Sequence, residues 1–583
     1  MSELLALCKT DEVAPNSALK VEAGGLTLAV FNLNGHFFAM EDLCSHGPGS
    51  LSEGYIEGEE IECDFHNGRF NIKTGEVTSP PCMIPQKVYP VTIQDGTETE
   101  HSASGLKRSL GAFDLTLLGI GAIIGAGIFS SIKDMIVGTE YGGLQMHGAG
   151  PAVMISFALT ALACGFAALC YAEIASMVPA SGSAYSYSYA AFGEIVAWII
   201  GWDLIIEYAI GNVYVADKWG VYFQTFVFGV FGWTLPAWLT HDVQTAHVMV
   251  QDPQFANAFP TIAGQVIAIN LPALAITLLI TLLLYVGIKE SARANAIMVV
   301  LKVGLVLTFI VLCFWAILKR GTNHWTPFMP GEFKGVWHAA ALGFFSYIGF
   351  DAVSTAGEEC KNPQRDLPRG LLWSLAICTV LYILTAAALT GVVPLDRIRT
   401  DDPLSSALVD IGFSNVATIF AFGAVVAMTA VLLVFQLGQT RIFMVMSRDG
   451  LLPRAFSKVH PKHRTPHVAT WVTGLIVAIS CSVLTPDQAI GLCNIGTLFA
   501  FALVALGVIV LRVREPERPR PFRVPLYPLT PIFAILACLA LIAGLELSNW
   551  MRLVIWLAIG LVFYFAYGYR NSVVRARANA PRA

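Results

Sequence analysis

Two short stretches pair a thiol with an imidazole: Cys44-Ser45-His46 and Cys63-Asp64-Phe65-His66, with sixteen residues between His46 and Cys63. Two thiolates and two imidazoles can hold a tetrahedral zinc, or a [2Fe–2S] centre in which histidines replace two cysteines on one iron. The spacing is compatible with both. Further along, Gly119-Ile120-Gly121-Ala122-Ile123-Ile124-Gly125-Ala126-Gly127-Ile128-Phe129 places four glycines among eleven residues of an apolar segment. Each glycine weakens a helix by about 1 kcal/mol relative to alanine, so this helix is built to open in its middle. Irregular backbone at membrane depth survives only where protein or an aqueous cavity surrounds it. The freed N–H groups form the positive end of a half-helix and favour an anion, and broken helices at the bilayer midplane are where secondary transporters hold their substrates. Close packing through small residues accounts for one or two glycines, not for this density.

The elements that must position these residues divide into two modules. The 583-residue chain is 55% hydrophobic, in the range of polytopic membrane proteins. Its first 105 residues depart from that character, with 5 basic and 16 acidic side chains, a net of −11; the remaining 31 basic and 25 acidic give +6. An acidic head therefore precedes a basic membrane body. Residues 1–10 carry neither a basic start nor a long apolar core, so no signal peptide is expected and the head is expected in the cytosol. Eight of the 12 cysteines are scattered beyond residue 150 in apolar or membrane-flanking sequence, which is no disulfide framework.

Short β-like runs fill the head at Leu26–Asn32, His36–Met40, Glu60–Cys63, Arg69–Ile72 and Lys87–Ile93, separated by turn signals such as Asn34-Gly35 and Thr74-Gly75. The sequence around the ligand pairs is more specific than their spacing. It runs Cys44-Ser-His-Gly-Pro-Gly-Ser-Leu, then Glu62-Cys-Asp-Phe-His-Asn-Gly-Arg-Phe, then Thr74-Gly-Glu-Val-Thr-Ser-Pro-Pro-Cys82. This resembles the Rieske ferredoxin components of bacterial aromatic-ring dioxygenase systems over nearly the whole head. The resemblance implies one [2Fe–2S] cluster per chain, with Cys44 and Cys63 on one iron and His46 and His66 on the other. The cytochrome-complex version of this fold adds two bridging cysteines; here the nearby positions hold Pro48 and Phe65, which points to the lower-potential ferredoxin type. Cys82 falls outside the four-ligand pattern and is expected to be structural. The acidic surface either steers the carrier to basic partners or simply solubilises it. A tether of small and charged residues, 97–108, is expected to follow a domain spanning 1–96.

From 109 to 570 apolar segments recur at about 112–132, 150–178, 192–228, 264–286, 291–318, 336–357, 369–393, 414–446, 467–485, 488–512, 526–546 and 550–570. Twelve helices with both ends inside follow, ending in a cytoplasmic tail, 571–583. The loops and tail so assigned to the cytoplasm carry 22 Lys and Arg against about 7 on the other face. Helix six repeats the logic of helix one, since Phe344-Phe-Ser-Tyr-Ile-Gly-Phe-Asp351 sets a glycine and polar groups inside an apolar span. Two interrupted helices, each heading a set of five, fit an inverted repeat of the LeuT type. The body closely resembles the amino acid–polyamine–organocation superfamily, especially bacterial relatives of the cationic amino acid transporters. Besides the helix-one motif, the match is carried by Cys170-Tyr-Ala-Glu-Ile-Ala-Ser-Met-Val-Pro-Ala-Ser-Gly-Ser-Ala-Tyr185, Gly357-Glu-Glu-Cys-Lys-Asn-Pro-Gln-Arg-Asp-Leu-Pro368 and Arg448-Asp-Gly-Leu-Leu-Pro453. The resemblance implies that N–H groups around Gly125, Ala126 and Gly127 hold a substrate carboxylate. Carbonyls of Ile123, Phe345, Ser346 and Ile348 would accept from its ammonium. The family more often has alanine at Ser346, whose hydroxyl could contact a polar substrate but is expected instead to bond back to its own helix.

Ionisable groups inside the helices are functional candidates because burying them is costly. Lys302 lies near the middle of helix five and matches the lysine that occupies a sodium site in proton-coupled relatives. A fixed ammonium there would supply sodium's charge and release and rebind a proton as access alternates. Glu173, Asp203, Glu207, Asp217, Lys218 and Asp351 are further cases. Glu173 is expected to pack against the broken helix, and Asp217-Lys218 to be either an intrahelical polar cluster or a substrate determinant. Facing histidine pairs for haem are lacking in the expected spans, which argues against electrons crossing the membrane. The resulting expectation is a multi-pass amino acid transporter of the cell membrane, proton-coupled, with a Rieske domain for electron transfer or redox regulation through a cytosolic partner. It would not be an enzyme and would have no nucleic-acid partner. In the alternative, the body merely anchors a ferredoxin that feeds a cytosolic oxygenase.

Overall fold

The computed structural model describes residues 6–578 apart from 10–11, 15, 24–25, 34, 46–48, 64–67, 80–81, 90, 95–96, 101–109, 142–143, 178–182, 256, 287–291, 322, 355–359, 399–400, 461–462 and 464. Side chains at 6, 9, 92–100, 140–146, 292–295 and 576–578 are likewise outside that description. The chain divides into two compact units, Met1–Ser109 with Asn571–Ala583, and Leu110–Arg570.

Residues 6–100 of the first unit form a β domain. Strands β1 (Ala6–Lys9), β2 (Ser17–Ala23), β3 (Leu26–Leu33), β4 (His36–Glu41), β5 (Tyr55–Glu57), β6 (Glu60–Glu62), β7 (Arg69–Asn71), β8 (Val77–Ser79), β9 (Val88–Tyr89), β10 (Val91–Gln94) and β11 (Thr97–Glu100) form three sheets. Their orders are β2-β3-β4-β9, β5-β6-β7-β8 and β1-β11-β10. Strand β3 reads Leu-Thr-Leu-Ala-Val-Phe-Asn-Leu without clean alternation because both of its faces are covered. Ala29, Phe31 and Leu33 enter a core with Met40, Leu51, Ile61, Phe70 and the three cysteines Cys44, Cys63 and Cys82. Leu28 and Val30 enter another with Val21, Ala39 and Tyr89. The sequence reading missed β1, β2, β5 and β8, which are short or, like Ser-Ala-Leu-Lys-Val-Glu-Ala, weakly apolar. It also began the tether early. Thr97–Glu100 is a strand pairing with β1 and β10 through backbone hydrogen bonds, which demand no apolar side chains.

The second unit is helical: α1 (Ala112–Ile123), α2 (Ile132–Val137), α3 (Val153–Met177), α4 (Ser183–Phe192), α5 (Glu194–Ile205), α6 (Gly211–Phe231), α7 (Val243–Met249), α8 (Leu271–Val286), α9 (Ala292–Arg320), α10 (Glu332–Gly343), α11 (Pro363–Val392), α12 (Pro403–Asp410), α13 (Ser414–Arg448), α14 (His467–Val483), α15 (Pro486–Arg514), α16 (Leu529–Ala543) and α17 (Leu547–Phe563). Among the described residues, seven helices are long and apolar enough to cross a membrane. The number is eight if α1 and Gly127–Val137, bent by 43° at their break, count as one span. The other expected segments are three shorter apolar helices, α8, α14 and α16, and the run from α5 to α6, which carries Asp203, Glu207, Asp217 and Lys218 inside it. The unit is thus a multi-pass membrane body. The connection from α6 to α8 has a small core of its own, in which Ala246, Phe259 and Ala268 are buried against Trp238, Met249 and Val266.

Candidate functional site

In the β unit, the two loops that carry the expected ligands close in the same way. Cys44 N–H donates to Gly49 O at 2.8 Å, and Cys63 N–H donates to Gly68 O at 2.8 Å. Both thiols point inward, Cys44 at 3% exposure and Cys63 at 0%. His46 and His66 lie outside the described residues. A third segment braces the first loop. Ser45 Oγ donates to Ile84 O at 2.7 Å, Ser45 N–H donates to Gln86 Oε1 at 3.1 Å, and Gln86 Nε2 donates to the carbonyls of Glu41 and Leu43. Asp42 pins the loop's other end, accepting from Ser50 Oγ and Ser52 N–H with Lys20 Nζ 3.3 Å away. Burial pushes the Asp42 carboxyl up, but the bonds from Ser52 and Ser50 outweigh it and hold the group below its ordinary value. Two inward-facing thiols on matched loops suit a [2Fe–2S] centre; the histidines expected to complete it would follow each cysteine by two and three positions. Cys82 sits beside them, its Sγ 3.6 Å from Cys44 Sγ. The hydrogen bond with Cys44, then burial, pushes the Cys82 thiol up.

In the helical unit the glycine cluster opens the helix. The first half ends at Ile124, whose ψ of 102° is extended, and the chain resumes helical turns from Ala126. The second interruption follows α10: one tight turn over Phe344–Tyr347, then Ile348 with ψ 137° and Gly349 with φ +111°. The two breaks touch. A Cβ on Gly127 would lie 2.4 Å from Ser346 Cα, and one on Gly349 would lie 3.0 Å from the carbonyl carbon and oxygen of Ala122. Both positions therefore exclude any larger residue, and Gly349 also occupies the left-handed region that favours glycine.

Backbone groups freed by the first break can be accounted for. Lys302 on α9 donates Nζ to Gly121 O at 2.7 Å and Ile124 O at 3.2 Å, placing a cation at a helix C-terminus. Tyr382 on α11 donates its hydroxyl to Ile123 O at 2.9 Å. Ser131 Oγ takes Gly127 O and Tyr222 Oη takes Phe129 O. The carbonyl end of the first half is thus capped by side chains, whereas Gly125, Ala126 and Gly127 begin the second half, where N–H groups lack intrahelical acceptors. Ile123 O, expected for a substrate ammonium, already accepts from Tyr382; Phe345 O accepts from Ile348 N–H at 3.3 Å. Ser346 is fully buried and its hydroxyl has no hydrogen-bond partner, so the expected bond back to its own helix is not made. The Phe345 ring meets Tyr214 edge-on with centroids 4.9 Å apart. Tyr382 and Tyr222 were missed in the sequence. The signal was a tyrosine inside an apolar span, whose buried hydroxyl must find an acceptor.

The other ionisable groups fall elsewhere. Glu173 pairs with Arg512 (Nε 2.8 Å, Nη2 2.5 Å) and accepts from Val524 N–H at 2.6 Å, joining α3 to the segment after α15 instead of packing on the break. Asp217 and Lys218 are a polar cluster: Lys218 Nζ is 3.3 Å from both Asp217 and Asp401, and Lys133 reaches Asp401 at 2.5 Å. Lys218 chiefly, with Lys133, holds the Asp401 carboxyl well below the usual range. Asp203, Glu207 and Asp351 are buried, with Tyr208 Oη donating to Asp351 Oδ2 at 3.1 Å.

A many-helix body with two interrupted helices in contact and a small β unit with paired thiol loops are the architecture of a membrane permease joined to a Rieske-type domain. Residues 110–565 match the amino acid permease family and residues 3–90 the Rieske [2Fe-2S] domain. The branched-chain amino acid permease BcaP of Bacillus subtilis is 49% identical over 482 residues, 82% of this chain and 97% of its own. The methylthioribose transporter of the same bacterium is 43% identical over 475 residues, 82% and 96% of the two chains. A solved ferredoxin from Sphingomonas yanoikuyae B1 is 40% identical across 17% of this chain and 100% of its own, with a TM-score of 0.17. The chain belongs to the amino acid permease family and carries a Rieske domain ahead of the permease.

Proposed function

We propose that the chain is a proton-coupled symporter of neutral, branched-chain amino acids. It works by alternating access in the cell membrane, with both termini in the cytosol. The observation that carries this reading is the meeting of two broken helices with one break already capped: Lys302 and Tyr382 occupy the carbonyls of Gly121, Ile123 and Ile124. The N–H groups of Gly125–Gly127, which begin the second half-helix, are the carboxylate site of this reading. Phe345, Ile348 and Tyr214 offer an apolar wall, and the unpartnered Ser346 hydroxyl adds one polar contact. Similarity to a permease named for branched-chain amino acids supports the substrate class. The twelve-helix arrangement in two inverted sets of five accords with the interruptions in the first and sixth segments. Lys302, bonded to two carbonyls of the broken helix, is the coupling residue.

Cys44, His46, Cys63 and His66 would hold a [2Fe–2S] cluster, which when bound would supply one-electron chemistry. The chain's own part is to keep both thiols dry and to fix their loops through Ser45, Gln86 and Asp42. The domain serves a cytosolic redox partner or regulates the permease. The deciding experiment is uptake of labelled leucine, isoleucine, valine, lysine and methylthioribose into proteoliposomes under an inward proton gradient, with the centre held oxidised and then reduced. Branched-chain uptake that collapses with the gradient is expected. A rate that changes with redox state assigns regulation, and equal rates assign the domain to a separate partner. No uptake of any compound overturns the transporter reading in favour of an anchored ferredoxin.

A further inference from the structure

Cys82 was expected to be a packing residue, yet its surroundings are those of the cluster ligands. It belongs to the third segment, 82–86, which braces the first cluster loop through Ile84 O and Gln86. Its Sγ lies 3.6 Å from Cys44 Sγ, within the reach of a sulfur–sulfur hydrogen bond. It also abuts the second loop: a Cβ on Gly68 would lie 2.2 Å from Cys82 Sγ and 3.2 Å from Cys82 N. Cys82 is 2% exposed, so water does not compete for the thiol.

Given the cluster reading above, the direction of the contact is settled. A Cys44 sulfur bound to iron carries no hydrogen, so Cys82 alone has one to give. We infer that the Cys82 thiol donates a hydrogen bond to the Cys44 sulfur and thereby sets the reduction potential of the centre. Reduction adds negative charge to the centre and its sulfur ligands, and a hydrogen pointed at one of them stabilises the reduced form more than the oxidised form. Hydrogen bonds to the sulfurs are among the levers that set such potentials. Cys82 is a positioning and tuning residue, and Gly68 is the small neighbour that lets it approach.

The test is an equilibrium redox titration of the full-length purified protein, followed by electron paramagnetic resonance. Cys82→Ala and Cys82→Val, the second filling the space without a hydrogen to donate, should both lower the midpoint. A tenfold loss in the equilibrium constant for reduction corresponds to about 59 mV for one electron. Cys82→Ser, which keeps a donor, should hold or raise it. Hydrogen–deuterium exchange should shift the iron–sulfur stretching bands in the parent protein more than in the alanine variant. An unchanged midpoint in alanine and valine variants with an intact signal overturns the inference. So does loss of the centre in all three variants alike, which would make Cys82 a packing residue. A parent protein without a Rieske-type signal refutes instead the cluster reading on which the inference rests.

Discussion

Gly125 and Gly127 make a discriminating pair because their crowding has different sources. At Gly125 an added Cβ would sit 2.8 Å from Val431 Cγ2, with its next contacts at 3.6 Å, so one methyl is the obstacle. That is roughly 1 Å inside the optimum for two carbons. Overpacking of this kind costs about 1–3 kcal/mol, which is roughly a five- to hundred-fold effect on any equilibrium that depends on the site. At Gly127 the obstacle is Ser346 Cα at 2.4 Å, part of the other broken helix, which no rotamer moves aside. Gly125→Ala should therefore cut initial uptake of labelled leucine by about one order of magnitude, and Val431→Ala added to it should restore most of the loss. Gly127→Ala should abolish uptake, and Ser346→Ala should not restore it because the Cα remains. All variants must first elute as monodisperse protein in detergent. Wild-type uptake by Gly127→Ala, or failure of Val431→Ala to improve a well-folded Gly125→Ala, would refute the claim that the two breaks meet at a working site.

Lys302→Met should lose uptake driven by a proton gradient, because the ammonium that holds Gly121 O and Ile124 O is gone; full pH-driven uptake in the variant would sink the coupling role. Ser346→Ala should leave leucine uptake within a few-fold while weakening competition by serine and threonine, since the buried hydroxyl has no other partner. Glu173→Gln should lower the melting temperature by several degrees, as removing one member of a buried ion pair costs about 3–5 kcal/mol and here leaves Arg512 without its carboxylate. Asp401, held below its ordinary range by Lys218 and Lys133, contributes stability that is in place above the usual aspartate value of about 3.9 and is lost as pH falls beneath it. Acid below that value should therefore destabilise the parent protein more than Asp401→Asn in thermal melts at constant salt.

Local signals survived the passage from sequence to structure, and long-range partners did not. The glycine cluster announced the break at Gly125, and the two Cys–His spacings announced the paired loops. Lys302 stood out as a charge in an apolar span, but its acceptors lie 181 and 178 residues away on a helix whose unwinding creates them. Tyr382 looked like one more apolar-span aromatic because Ile123 is 259 residues distant. Asp217-Lys218 stayed ambiguous for the same reason: the carboxylate that shares Lys218 is Asp401, in a separate loop. In the β unit, β11 escaped notice because Thr-Glu-Thr-Glu is stabilised by pairing with β1 and β10 and not by an apolar face.

The segment between α6 and α8 buries Phe259 and Ala246 in its own small core, and Gln244 ties it to Val483 O and Gln488 at the adjoining ends of α14 and α15. It is a small folded segment with a core of its own, tied to the ends of two helices. An antibody fragment raised against it would bind vesicles of one insertion handedness, and so sort right-side-out from inverted preparations. The same fragment would add a rigid landmark for image alignment, leaving every spanning helix untouched.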